Sequence, residues 1–116
     1  EITADPFRFE RSLSALFEEG LPIVEFPTNS LARMVPACQN FFEKVSDGEV
    51  SHDGGLVLAR HLTNCRIKED HRGARIVKEA PGSPRKIDAA VAAVIGLHRA
   101  IMHRDEASGE AQMLVL

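Results

Sequence analysis

The chain has little that would suit it to an oxidising or membranous setting. It holds only two cysteines in 116 residues, Cys38 and Cys65, too few for a disulfide framework and suited to a reducing compartment. Its longest apolar run, Ala89 to Leu97, is too short and too alanine-rich to cross a bilayer. Glu1 to Asp5 shows neither the basic nor the apolar region of a signal peptide. There is no internal repeat, no low-complexity tract and no G-x-x-x-x-G-K-[ST] loop, so no ATPase is expected within these residues. No C-x-x-C pair supports a zinc site from Cys38, His61, Cys65 and His71. Together these absences predict a cytoplasmic protein without membrane contact. What is present is ordinary: 12.7 kDa, 44% apolar and 27% charged residues suit one globular domain and argue against disorder for its bulk.

The net charge of −3 conceals a segregation. Residues 1–50 carry four Lys/Arg against nine Asp/Glu. Residues 60–86 reverse this, with eight Lys/Arg (Arg60, Arg66, Lys68, Arg72, Arg75, Lys78, Arg85, Lys86) against three acids. A block of that sign can attract phosphate in spite of an acidic total. The alternative is a solvated hairpin whose charges simply face water.

Along the chain, Ile2 to Ala4 reads as the end of a strand stopped by Asp5-Pro6. Phe9, Leu13, Leu16 and Phe17 form a helical stripe within 7–19, with Gly20 as a C-terminal cap. Leu21 to Phe26 is a short apolar strand ended by Pro27, and Ser30 caps a second helix running to about Val45 around Pro36. After Gly54-Gly55 a helix is expected over 56–62. Cys65 to Glu69 and Ala74 to Glu79 then form a hairpin about Asp70-His71-Arg72-Gly73. Ser83-Pro84 matches an N-cap and first-turn proline, opening a long helix to about Arg104. The order β-α-β-α-α-β-β-α predicts an α/β sandwich with helices packed on a sheet. Because the chain opens inside a strand, the sheet's first strands are expected upstream of Glu1.

Two carboxylates stand out. Asp5 follows the first strand, where α/β sheets place ligands beyond the strand ends; before Pro6 it also fits a helix N-cap. Asp88 falls one turn into the expected last helix, on the face of Val91, Ala92 and Ile95. A carboxylate facing a packed side needs a proton, a partner or a cation. Its alternatives are the positive end of its helix or a pair with Arg85. The alanines at 89, 90, 92 and 93 allow this helix to approach the sheet closely.

These residues carry a resemblance. Lys86-Ile87-Asp88-Ala89-Ala90-Val91-Ala92, preceded by Asn64-Cys65-Arg66-Ile67-Lys68 and Ser51-His52-Asp53-Gly54-Gly55-Leu56, resembles the C-terminal part of phage large terminase nuclease domains. Asp5-Pro6-Phe7, with Glu18-Glu19-Gly20-Leu21-Pro22-Ile23-Val24-Glu25-Phe26, looks like the same family's preceding segment. The likeness covers about residues 2 to 104. It implies a ribonuclease-H-like fold, a mixed sheet flanked by helices and here lacking its first strands. It also implies cutting of concatemeric viral DNA by an acidic triad holding two divalent ions, Mg2+ or Mn2+. Asp5 matches the middle acid and Asp88 the last, the first being expected upstream. His52 matches a family histidine to which the sequence assigns no role.

Paired ions held by shared carboxylates can activate water and stabilise a leaving alkoxide, which is what phosphodiester hydrolysis needs. The basic block would hold the duplex without reading its sequence, with Arg66 and Lys68 on one hairpin strand and Arg75 and Lys78 on the other. Lys86 is placed to stabilise a scissile phosphate, or else is solvated. The resemblance implies double-stranded DNA, an ATPase domain, a small terminase subunit and a portal as partners, in the cytoplasm of a bacterial host carrying a phage or prophage. Residues 1–104 are expected to be the C-terminal portion of one nuclease domain and 105–116 a flexible tail, whose apolar end, Met113 to Leu116, would dock on a partner or fray. The alternatives are a junction-resolvase or integrase type of nuclease, and a non-catalytic DNA-binding or assembly module.

Overall fold

The computed structural model describes residues 1–115, with side chains through Glu106. The elements, in chain order, are β1 (Ile2–Ala4), α1 (Glu10–Glu18), β2 (Ile23–Glu25), α2 (Leu31–Ser46), α3 (Leu56–Asn64), β3 (Arg66–Asp70), β4 (Gly73–Val77) and α4 (Asp88–Val115). The expected order of elements is thus observed. The expected single sheet is not: β1 pairs with β2 in parallel, β3 pairs with β4 antiparallel, and among the described residues the two pairs stay separate.

Local chemistry accounts for several boundaries. Gly20, at φ +91°, ends α1 in a Schellman arrangement: its N–H donates to Phe17 O at 2.9 Å, and Leu21 N–H donates to Leu16 O at 3.1 Å. Ser30 occupies the N-cap position of α2 without a side-chain cap hydrogen bond. The start of α4 differs from expectation. Ser83 Oγ donates to Glu79 at 2.9 Å and accepts from Arg85 N–H at 3.2 Å, closing a turn, and the helix begins at Asp88. It continues past Arg104 to Val115. The expected tail, with its apolar end Met113–Leu116, lies largely outside the described side chains.

The core lies between helices more than against a sheet. Met34, Ala37 and Cys38 of α2 meet Val94 and Ile95 of α4, with Phe26 after β2 completing the cluster and Phe41 and Ile76 packed against it. Ala37 and Ala90 are wholly buried, and such small residues let helix backbones come close. α4 packs on α2, α3 and β1, so its alanines serve helix–helix contact as well as the sheet. Among the described residues no helix is long and apolar enough to cross a membrane.

Candidate active site and nucleic-acid interface

Parallel pairing brings the C-terminal ends of β1 and β2 to the same side, and Asp5 stands there, just beyond Ala4. Its carboxylate ties the two ends together. Oδ1 accepts Phe7 N–H at 2.9 Å, within the turn that stops the strand. Oδ2 accepts the backbone N–H of Thr28 at 3.3 Å and also the Thr28 hydroxyl. Helix α1 starts only at Glu10, with Phe9 at its N-cap, so Asp5 does not cap it. Burial tends to raise the Asp5 pKa, but the Thr28 hydroxyl and the N–H groups of Phe7 and Thr28 outweigh this and hold it below the usual carboxylate range. Asp5 is therefore ionised at neutral pH.

Asp88 is the first residue of α4 and is exposed. This corrects the expectation that it faces a packed side: the buried stripe here runs through Ile87, Ala90 and Val94, and Asp88 falls beside it. Arg85 pairs with Glu79 at 3.3 Å, so its guanidinium is engaged by that carboxylate. The backbone around Asp88 is gripped from α3. His61 Nδ1 accepts the N–H of Ala89 at 2.8 Å, and Asn64 Nδ2 donates to Lys86 O at 2.9 Å. One turn apart on α3, His61 and Asn64 thus fix the main chain on either side of Asp88.

Strand β1 packs on α4 and is tied to it through Glu1. Arg99 clamps Glu1, Nε to Oε1 at 2.7 Å and Nη2 to Oε2 at 2.9 Å, and His103 also bonds Glu1. Thr3 shares a cleft with Ala92, Ile95 and Gly96. Glu1 thus fixes the start of β1 to the middle of α4, while Asp5 and Asp88 stand at separate element ends, one just after β1 and the other opening α4. No hydrogen bond or ion pair joins them among the described residues, and no group of three or more His, Cys, Asp or Glu side chains there could hold a metal ion.

The basic hairpin divides into committed and uncommitted charges. Arg66 turns back on the end of α3, Nη1 donating to the carbonyls of Thr63, Asn64 and Cys65 at 3.3, 3.5 and 3.0 Å. Arg75, cross-strand partner of Lys68, lies 3.4 Å from Asp70 with its side chain 12% exposed. Arg72, which the sequence reading did not single out for DNA, pairs with Asp70 at 2.8 Å. The hydrogen bonds from Arg72 lead, with Arg75 adding to them, in holding the Asp70 carboxyl far below its usual range. Lys68 and Lys86 are exposed and Lys78 is half-buried. A cleft of about 340 Å³ is lined by Arg72 and Arg75 on one side and by Thr28 and Asn29 on the other. The hairpin's arginines thus front the loop that holds Asp5.

His52 lies elsewhere. It accepts Gly54 N–H on Nδ1 at 3.0 Å and lines a cleft between α2, α3 and α4 with Phe41, Leu58 and Leu97. Sequence reasoning missed Thr28, His61 and Asn64. The only signal for Thr28 was the parallel strand register, which brings the residues after Ala4 beside those after Glu25.

Residues 1–104 match the family described as terminase large subunit, endonuclease domain. The Gene 13 protein of Mycobacterium phage D29 is 33% identical over 104 residues, covering 79% of this chain and 18% of that protein. The Gene 13 protein of Mycobacterium phage L5 is 41% identical over 59 residues, 50% of this chain and 10% of that protein. The chain therefore spans less than a fifth of the length of either relative. No solved structure matches it. The family match covers nearly every residue whose geometry is described above, Asp5 and Asp88 included, and the chain belongs to the terminase large subunit endonuclease domain family.

Proposed function

We propose that this chain is the C-terminal portion of the metal-dependent nuclease of a phage packaging terminase, which cuts concatemeric double-stranded DNA by hydrolysing phosphodiester bonds. The observation that carries the reading is the Asp5 carboxylate, held by three hydrogen bonds at the end of β1, within a chain that matches the family over residues 1–104. Asp5 and Asp88 offer hard oxygen donors of the kind Mg2+ and Mn2+ prefer. When bound, a pair of divalent ions would supply activation of water and stabilisation of the leaving oxygen.

The chain's own residues do the rest. Asp5 and Asp88 would hold the ions through their carboxylates. Lys68, Lys78 and Lys86, with Arg66 and Arg75, hold the DNA backbone through charge and not through base edges. Lys68 and Lys86, both exposed, are the freest to do so. The proposed architecture is ribonuclease-H-like, with β1 and β2 as part of a larger mixed sheet. A two-stranded parallel pair supports this, because parallel strands usually belong to larger sheets covered on both faces. An ATPase domain, a small terminase subunit and a portal are the proposed partners, and the host cytoplasm the place of action.

Plasmid cleavage in Mg2+ or Mn2+ tests this, comparing the 116-residue chain with one extended upstream. Cutting by the extended chain, lost in Asp88→Asn with the fold intact, is the expected result. No cutting by either folded chain would replace this reading with that of a DNA-binding or assembly module.

A further inference from the structure

Thr28 is built into the structure in a way that serves Asp5. Phe26, two residues earlier, is buried in the core and donates its N–H to Ala4 O at 2.8 Å, locking the β2 end to the β1 end. Pro27 follows with its restricted φ, and Ser30 N–H donates to Pro27 O at 3.1 Å, closing a turn over Thr28 and Asn29 before α2 begins. Thr28 is thus held at both sides, and both its backbone N–H and its hydroxyl are given to a single oxygen, Asp5 Oδ2.

That allocation is asymmetric. An ionised carboxylate has about four lone-pair sites on two oxygens. Oδ2 takes two donors from Thr28, whereas Oδ1 takes one, from Phe7. The oxygen with a site to spare is Oδ1, and the carboxylate plane is set by donors on both sides.

We propose that Thr28 is a positioning residue for Asp5: its two donors occupy Oδ2 and orient the carboxylate so that Oδ1 is presented to a divalent cation. The inference rests on the nuclease reading above, because it takes Asp5 to be a metal ligand. Hydrogen bonds of this kind orient ligating carboxylates, and removing them commonly costs about 10- to 100-fold in metal affinity.

Mn2+ binding to the intact subunit, followed by calorimetry, tests this with Thr28→Val, Thr28→Ser and Asp5→Asn, each checked for folding by thermal unfolding. Asp5→Asn is expected to lose a site. Thr28→Val should bind about 10-fold more weakly at that site, and Thr28→Ser, which keeps the hydroxyl, should return to within about threefold of the parent. Thr28→Ala gives the same readout if the valine variant does not fold. Loss of the site in Asp5→Asn with unchanged affinity in Thr28→Val overturns the role of Thr28 and leaves the nuclease reading standing. Equal weakening in Thr28→Val and Thr28→Ser also overturns it, since the hydroxyl would then not be the cause. Unchanged binding in Asp5→Asn overturns the metal reading of Asp5 and this inference with it.

Discussion

Gly73 seats the basic hairpin on the rest of the protein, and replacing it with alanine separates two costs that the structure makes visible. It follows the two-residue turn His71-Arg72 with φ at +115°, a conformation unfavourable for any residue with a Cβ. That strain is worth about 1–3 kcal/mol. A Cβ built there would also lie 2.5 Å from Val35 Cγ1 on α2, well inside contact distance. Overpacking of this sort adds about 1–3 kcal/mol, so Gly73→Ala should cost roughly 2–6 kcal/mol in all. Val35→Ala removes the colliding methyl but leaves the strain. In a double-mutant cycle followed by urea unfolding, the pair should therefore recover about 1–3 kcal/mol relative to the sum of the single variants. A Gly73→Ala cost below about 0.5 kcal/mol, within the range of an ordinary surface change, would refute the account of the turn. An equal cost with and without Val35 would refute the contact. The point bears on function because the same seating brings Arg72 and Arg75 to the cleft beside Thr28.

Other consequences are accessible by simpler means. His61→Ala removes the side chain that accepts Ala89 N–H at the start of α4 and should lower stability by about 1 kcal/mol, as loss of a helix cap does; an unchanged urea midpoint would contradict this. Lys68→Glu should weaken binding of duplex DNA and reduce the salt slope by about 1 or more without loss of stability, whereas Arg66→Glu should also destabilise the chain, because Arg66 holds three carbonyls at the end of α3. Equal DNA affinity in Lys68→Glu would make the hairpin solvated surface. His98 is held below its ordinary pKa by burial first and by Arg99 second. Its neutral form is favoured by folding, so this contribution is fully present above the ordinary histidine value of about 6.5 and is lost as pH falls through the lower folded value. Stability should decline over that window in the parent and less so in His98→Gln; identical declines would contradict it.

Most of the element order was legible because it rests on local chemistry. Gly20 after an apolar stripe, Gly54-Gly55 before α3 and the Asp70-His71-Arg72-Gly73 turn each act within a few residues of themselves. The start of α4 was misread for a related reason. Ser83-Pro84 has the composition of a helix start, but the Ser83 hydroxyl is occupied by Glu79 and Arg85, and the side chain that accepts a first-turn N–H of α4 comes from His61, 28 residues away. No window along the chain contains that information. The spacing of Asp88 with Val91, Ala92 and Ile95 predicts a packed face for it, but the buried stripe runs through Ile87, Ala90 and Val94 and leaves the carboxylate exposed, without the burial cost that made it conspicuous. Asp5 was found from its place after a strand, but its partner Thr28, 23 residues on, depends on a parallel register that pairing alone reveals. The separation of the strands into two pairs is likewise a tertiary outcome, since sequence order does not say which strands hydrogen-bond.

The central claim is that Asp5 and Asp88 serve one metal centre. Anomalous scattering from Mn2+ in crystals of the intact subunit tests it most directly. The account predicts manganese with oxygens of both carboxylates at about 2.1 Å, Asp5 contributing Oδ1 while Oδ2 keeps its bonds to Thr28. Manganese bound elsewhere, with Asp5 and Asp88 both outside its coordination shell, would contradict it.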